Sequence, residues 1–162
     1  MRLSQPAALV LDSTPLGLLV QKLGDAEGDA CKTWLVRLEA FGCRFFVPEI
    51  ADFALRRVLL RSGETAALAR LDAFVAAEPD RFLPLATPAL RLAATLWAQG
   101  PHRDKRRPPP SSLTEDCVLA AQARLLVSTV RGLSPLLIAT DRPERFRSLA
   151  PAHLWREIDA RG

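Results

Sequence analysis

The sequence predicts an α/β domain organised around a central parallel sheet, and three observations carry that prediction. The apolar run Ala7-Ala8-Leu9-Val10-Leu11 is bounded by turn-forming residues and has the pattern of a strand buried on both faces. Further short runs of this kind recur at 44–47, 81–85 and 136–139. Between them lie segments with apolar residues at helical spacing, so strands alternate with helices and the connections must cross over. The expected architecture is three-layered, with a sheet of four to five strands flanked by helices, over a single domain spanning residues 1–162.

Each element has its own local cause. The first strand, 7–11, ends on Asp12, and a helix of about two turns starts at Pro15, a residue suited to a first helical turn. Ser13 or Thr14 can cap that helix, which leaves the Asp12 carboxylate free. Residues 24–29, rich in Gly and Asp, match neither a calcium loop nor a phosphate loop and read as a solvated connector. Helix is expected over 29–40, with Trp34, Leu35, Leu38 and Phe41 on one side, and Gly42 ends it. After the strand at 44–47, Pro48 opens a long helix to Arg61, broken by Ser62-Gly63. A helix over 64–77 turns Ala67, Leu68, Leu71, Phe74 and Val75 toward a core, and another runs over 88–99. Residues 100–111 are basic and proline-rich, which excludes helix and central strand and predicts an exposed loop. Helix resumes over 113–126, and the strand at 136–139 ends at Thr140-Asp141. The tail, 149–158, is expected to add an edge strand or to dock as a turn.

Composition narrows the function classes. The formal charge is +4, and every basic residue except Lys22, Lys32 and Lys105 is arginine, whose planar fork matches phosphate. The three cysteines are widely spaced with no Cys-x-x-Cys pair, which argues against a disulfide scaffold or a zinc site and fits a reducing cytoplasm. The first hydrophobic run is too short to span a bilayer, so a cytoplasmic protein with no membrane partner is expected. His102 in the basic loop and His153 beside Trp155 read as incidental. There is no Gly-x-Ser-x-Gly elbow and no glycine-rich phosphate loop.

The chemistry lies in acids at strand ends and helix starts. Ser112 and Glu115 have the spacing of a capping box, which explains Glu115 but not Asp116. Asp116 shares a helix face with Leu119, Ala120 and Ala123, and a carboxylate on a buried face must be paired or bound to a metal. Asp12 stands at a strand's carboxyl end, where ligand sites of open α/β sheets are built. Two carboxylates about 4 Å apart repel by ~4 kcal/mol at an effective dielectric of about 20, so their convergence calls for a counter-ion or a shared proton, with Mg²⁺ or Mn²⁺ the usual hard divalent ions.

Taken together, Val10-Leu11-Asp12-Ser13, Val47-Pro48-Glu49-Ile50-Ala51-Asp52-Phe53-Ala54-Leu55-Arg56-Arg57, Asp116 to Ala123, and Ile138-Ala139-Thr140-Asp141 resemble the PIN domains in order and spacing. The resemblance covers nearly the whole chain and is closest to VapC-type toxins of toxin–antitoxin pairs. It implies a Mg²⁺-dependent endoribonuclease with three or four acids around one or two metals, usually a homodimer and often held inactive by a small antitoxin. Carried over, Asp12 matches the first acid and Asp116 the third. The second acid should stand where this chain has Ala54, with Glu49 or Asp52 as substitutes, although Glu49 also suits a helix N-terminus and Asp52 an ordinary pair with Arg56. The fourth position, an Asn in relatives, holds Arg142, with Asp141 beside it as metal ligand or as cap of a short helix.

The catalytic candidates are thus Asp12, Glu49, Asp116 and Asp141, with Asp12, Asp116 and Asp141 as ligands of Mg²⁺ (or Mn²⁺) activating water for attack on RNA. Arg56, Arg57, Arg106 and Arg107, with Arg103 and Lys105, are candidates for the RNA backbone. The alternative is a degenerate, non-catalytic PIN-like module that binds RNA or protein.

Overall fold

The computed structural model describes residues 1–100, 112–127 and 134–160. In chain order the elements are β1 (Arg2–Leu3), β2 (Ala8–Leu11), α1 (Ser13–Leu19), α2 (Ala26–Ala40), β3 (Arg44–Pro48), α3 (Glu49–Arg61), α4 (Thr65–Ala76), β4 (Phe82–Leu83), α5 (Thr87–Gln99), α6 (Leu113–Leu126), β5 (Leu136–Thr140), β6 (Ala152–Leu154) and β7 (Asp159–Ala160), with 3₁₀ turns at Pro143–Phe146 and Trp155–Glu157.

Among the described residues, five strands form one all-parallel sheet in the order β4-β3-β2-β5-β6, flanked by six helices. β2 is central and all four of its residues are buried, as its unbroken apolar run requires. Val10 sits opposite Phe46 on one side and Ile138 on the other. From β2 the chain builds outward through β3 to β4, whereas β5 adds to the opposite side of β2. The order therefore reverses between β2 and β5, and the crevice at their carboxyl ends is where a sheet of this kind places a ligand site.

Two elements differ from expectation. The connector at 24–29 is largely helix, because Asp25 caps α2 by accepting from the Gly28 backbone N–H at 2.7 Å. The strand at 81–85 narrows to Phe82–Leu83. The tail supplies both forms predicted for it, the edge strand β6 beside β5 and a 3₁₀ turn. β1 and β7, which pair in a separate two-stranded parallel sheet, are too short to leave a pattern in sequence.

Gly42 closes α2 at φ 95°, a left-handed conformation that glycine adopts without strain. Trp34 on α2 then locks the tail in place. Its ring meets Phe45 and Trp155 edge-on at 5.2 and 5.5 Å, and its indole N–H donates to the Ile158 carbonyl at 2.9 Å. Trp97 on α5 and Phe53 on α3 are exposed. No helix among the described residues is long and apolar enough to cross a membrane.

Candidate functional site

Asp12 follows β2, so the sheet delivers its carboxylate to the crevice beside β5. Its backbone N–H donates to the Ala139 carbonyl at 3.0 Å, which continues the β2–β5 ladder by one residue. The carboxylate is not free, as the capping potential of Ser13 and Thr14 suggested. Asp12 itself caps α1, with Oδ1 accepting from the Ser13 N–H at 2.7 Å, while Oδ2 accepts from the Thr140 hydroxyl at 2.7 Å. Thr140 is fully buried at the end of β5, and its oxygen accepts in turn from the Arg142 N–H at 3.1 Å.

Asp116 lies in the first turn of α6 and is 7% exposed, on the same buried face as Leu119, Ala120 and Ala123. The charge on that face is met by a side chain 29 positions away in sequence: Arg145 Nε donates to Oδ2 at 2.9 Å and Nη2 donates to Oδ1. This two-point geometry is the strongest form of carboxylate–guanidinium contact. Burial nonetheless raises the Asp116 pKa above the ordinary aspartate range, and the nearby charge of Asp12 adds to the rise, while Arg145 and Arg142 oppose it.

The two carboxylates converge as predicted. Both line one cleft of about 170 Å³, with Ser13, Ala54, Glu115, Arg142 and Arg145 also on its walls. Glu115 does not complete a capping box, since Ser112 makes no side-chain cap bond. Instead it pairs with Arg57 Nη2 at 2.7 Å.

The other candidates are not among the residues lining the cleft. Glu49, at the start of α3, accepts from the Leu85 N–H and so anchors the segment after β4. Asp52 holds Arg56 at two points, 2.8 and 2.9 Å, and Arg56 reaches on to Asp72 at 2.7 Å. Arg56 and Arg57 are thus both engaged with carboxylates. Asp141 does not cap the short turn after β5; it faces Arg142 Nε at 3.6 Å and is not among the residues lining the cleft. Arg103, Lys105, Arg106, Arg107 and His102 lie outside the described residues.

The metal centre implied by the PIN resemblance needs three or four acids open to an ion, and the described residues do not provide it. Asp12, Glu115 and Asp116 are the cleft's carboxylates, two of them already paired with guanidinium groups, and a methyl group stands at Ala54. Among the described residues no group of three or more His, Cys, Asp or Glu side chains is placed to hold a metal ion. Cys31, Cys43 and Cys117 are buried thiols, and burial pushes Cys31 up to about 12 and Cys117 up to about 11. A thiol whose pKa is raised by burial is a poor ligand and a poor nucleophile at neutral pH.

Sequence reasoning missed Arg145 and Thr140. The available signal was Asp116 itself, because a buried carboxylate must be paired when it is not metal-bound. Neither a protein-family model nor a curated protein matches this chain.

Proposed function

We propose that this protein is a PIN-like domain that binds RNA at the cleft beside β2 and β5 and does not hydrolyse it. The observation that carries this reading is the two-point grip of Arg145 on Asp116, in a cleft where Ala54 replaces an acid and Asp141 and Glu49 are absent from the walls. Metal-dependent phosphodiester hydrolysis relies on carboxylates left free for the ion, and here Asp116 presents its oxygens to an arginine. RNA as ligand is supported by the overall positive charge, by the predominance of arginine and by Arg142, a half-exposed cation on the cleft wall.

A second reading, the Mg²⁺-dependent endoribonuclease, is favoured by one observation: Asp12 and Asp116, far apart in sequence, share a cleft at the switch point of the sheet. It requires Arg145 to release Asp116.

Anisotropy of a labelled single-stranded RNA, run beside a gel assay for cleavage, tests both. The expected result is salt-sensitive binding with the RNA left intact in Mg²⁺, Mn²⁺ or EDTA. Arg142→Ala should weaken binding and flatten the dependence of log K on log salt by about one unit. Cleavage that needs the metal and disappears in Asp12→Asn and Asp116→Asn would establish the nuclease instead. Absence of binding at low salt would remove RNA as the ligand.

A further inference from the structure

We infer that Arg145 is the built-in counter-ion of this cleft, so that the site works without a divalent cation and excludes one by charge. The inference rests on the non-hydrolytic reading above and adds the reason for it. Among the described residues, three carboxylates line the cleft: Asp12, Glu115 and Asp116. Three guanidinium groups face them. Arg145 takes both oxygens of Asp116, Arg57 takes Glu115, and Arg142, which faces Asp141 at 3.6 Å, shares the cleft wall with Asp12. Two of the three cleft carboxylates are therefore paired with guanidinium groups of the chain itself, and a divalent ion would have to enter beside Arg142 and Arg145, which already carry positive charge on the same walls.

Position matters as much as number. Arg145 comes from the 3₁₀ turn just after β5 and reaches across to the first turn of α6, with its Nη2 also near the Ser112 carbonyl at 3.5 Å. Its side chain is only one-fifth exposed, so solvent screens it weakly. The Asp12 oxygens are committed as well, one to the start of α1 and the other to Thr140. An incoming ion would have to displace a well-formed guanidinium pair to gain Asp116, and no third carboxylate from position 54 would reward it. A cation that is part of the chain also cannot be removed by a chelator or exchanged for another metal.

The test is Mn²⁺ binding, read as loss of the free-ion signal in electron paramagnetic resonance, on the intact protein and its variants. Wild type is expected to take up no ion at the cleft up to about 1 mM, the range in which weak carboxylate sites fill. Arg145→Gln, which keeps the side-chain bulk and removes the charge, should bind Mn²⁺ about tenfold more tightly or better. That gain should vanish when Asp116→Asn is added. Arg145→Lys, which retains the charge, should bind as weakly as wild type. Tight binding by the wild type that Asp116→Asn abolishes would overturn the inference without any variant of Arg145 having to fold. An Arg145→Lys protein that binds as tightly as Arg145→Gln would overturn it too, by showing that charge is not what excludes the ion. RNA binding is a separate arm: its failure would remove the proposed ligand and leave the Mn²⁺ results standing.

Discussion

Arg145→Leu should lose about 3 kcal/mol of stability at neutral pH, a fall in Tm of roughly 6–12 °C for a domain of this size. The change strands Asp116, at 7% exposure, as an unpaired carboxylate among Leu119, Ala120 and Ala123. The loss should depend on pH in a stated direction. Burial already raises the Asp116 pKa, and removal of Arg145 deletes the principal influence lowering it. The folded variant therefore binds a proton that the unfolded chain does not, over the window from the ordinary aspartate range up to the raised value. Its stability rises as pH falls through that window, and the deficit relative to wild type narrows toward acid pH. Urea denaturation at pH 7 and pH 5 checks this. A deficit below about 0.5 kcal/mol, the scale of an exposed pair, would contradict the buried pairing.

Asp12→Ala should cost about 2–3 kcal/mol. Roughly 1 kcal/mol is the lost cap of α1, and about 1–2 kcal/mol is the fully buried Thr140 hydroxyl left without its acceptor. The two parts can be separated. Adding Thr140→Val to Asp12→Ala removes the stranded hydroxyl, so the double variant should be no less stable than the sum of the singles predicts, and more stable by about 1 kcal/mol. Simple additivity of the two changes would show that the 2.7 Å contact between these side chains contributes nothing.

Much of the fold was legible because its signals are local. The unbroken apolar run of β2 marks a strand flanked on both sides, and the spacing around Asp116 places it on the buried face of α6 whatever that face packs against. The convergence of Asp12 with Asp116 was legible for a related reason: an acid at a strand end and an acid at a helix start both belong to the same edge of an α/β sheet. The counter-charge was not. Nothing near Asp116 in sequence points to Arg145, and the choice between a metal and an arginine is made by tertiary placement alone. Glu49 was misleading because a helix-start acid fits a site or a tether equally well, and here it tethers Leu85. The role of Asp12 is hidden by its neighbours: Ser13, Thr14 and Pro15 could start α1 without it, yet the chain uses its carboxylate for that purpose and for Thr140 together.

Thermal unfolding of the wild-type protein in excess Mg²⁺ and in EDTA tests the central claim most directly, since a ligand that binds only the folded chain must raise Tm. A cleft whose Asp116 is already held by Arg145 predicts the same Tm in both buffers. An upward shift in Mg²⁺ of roughly 5–10 °C, as expected for an ion present at about a hundred times its Kd, that is lost in Asp116→Asn, would contradict the account.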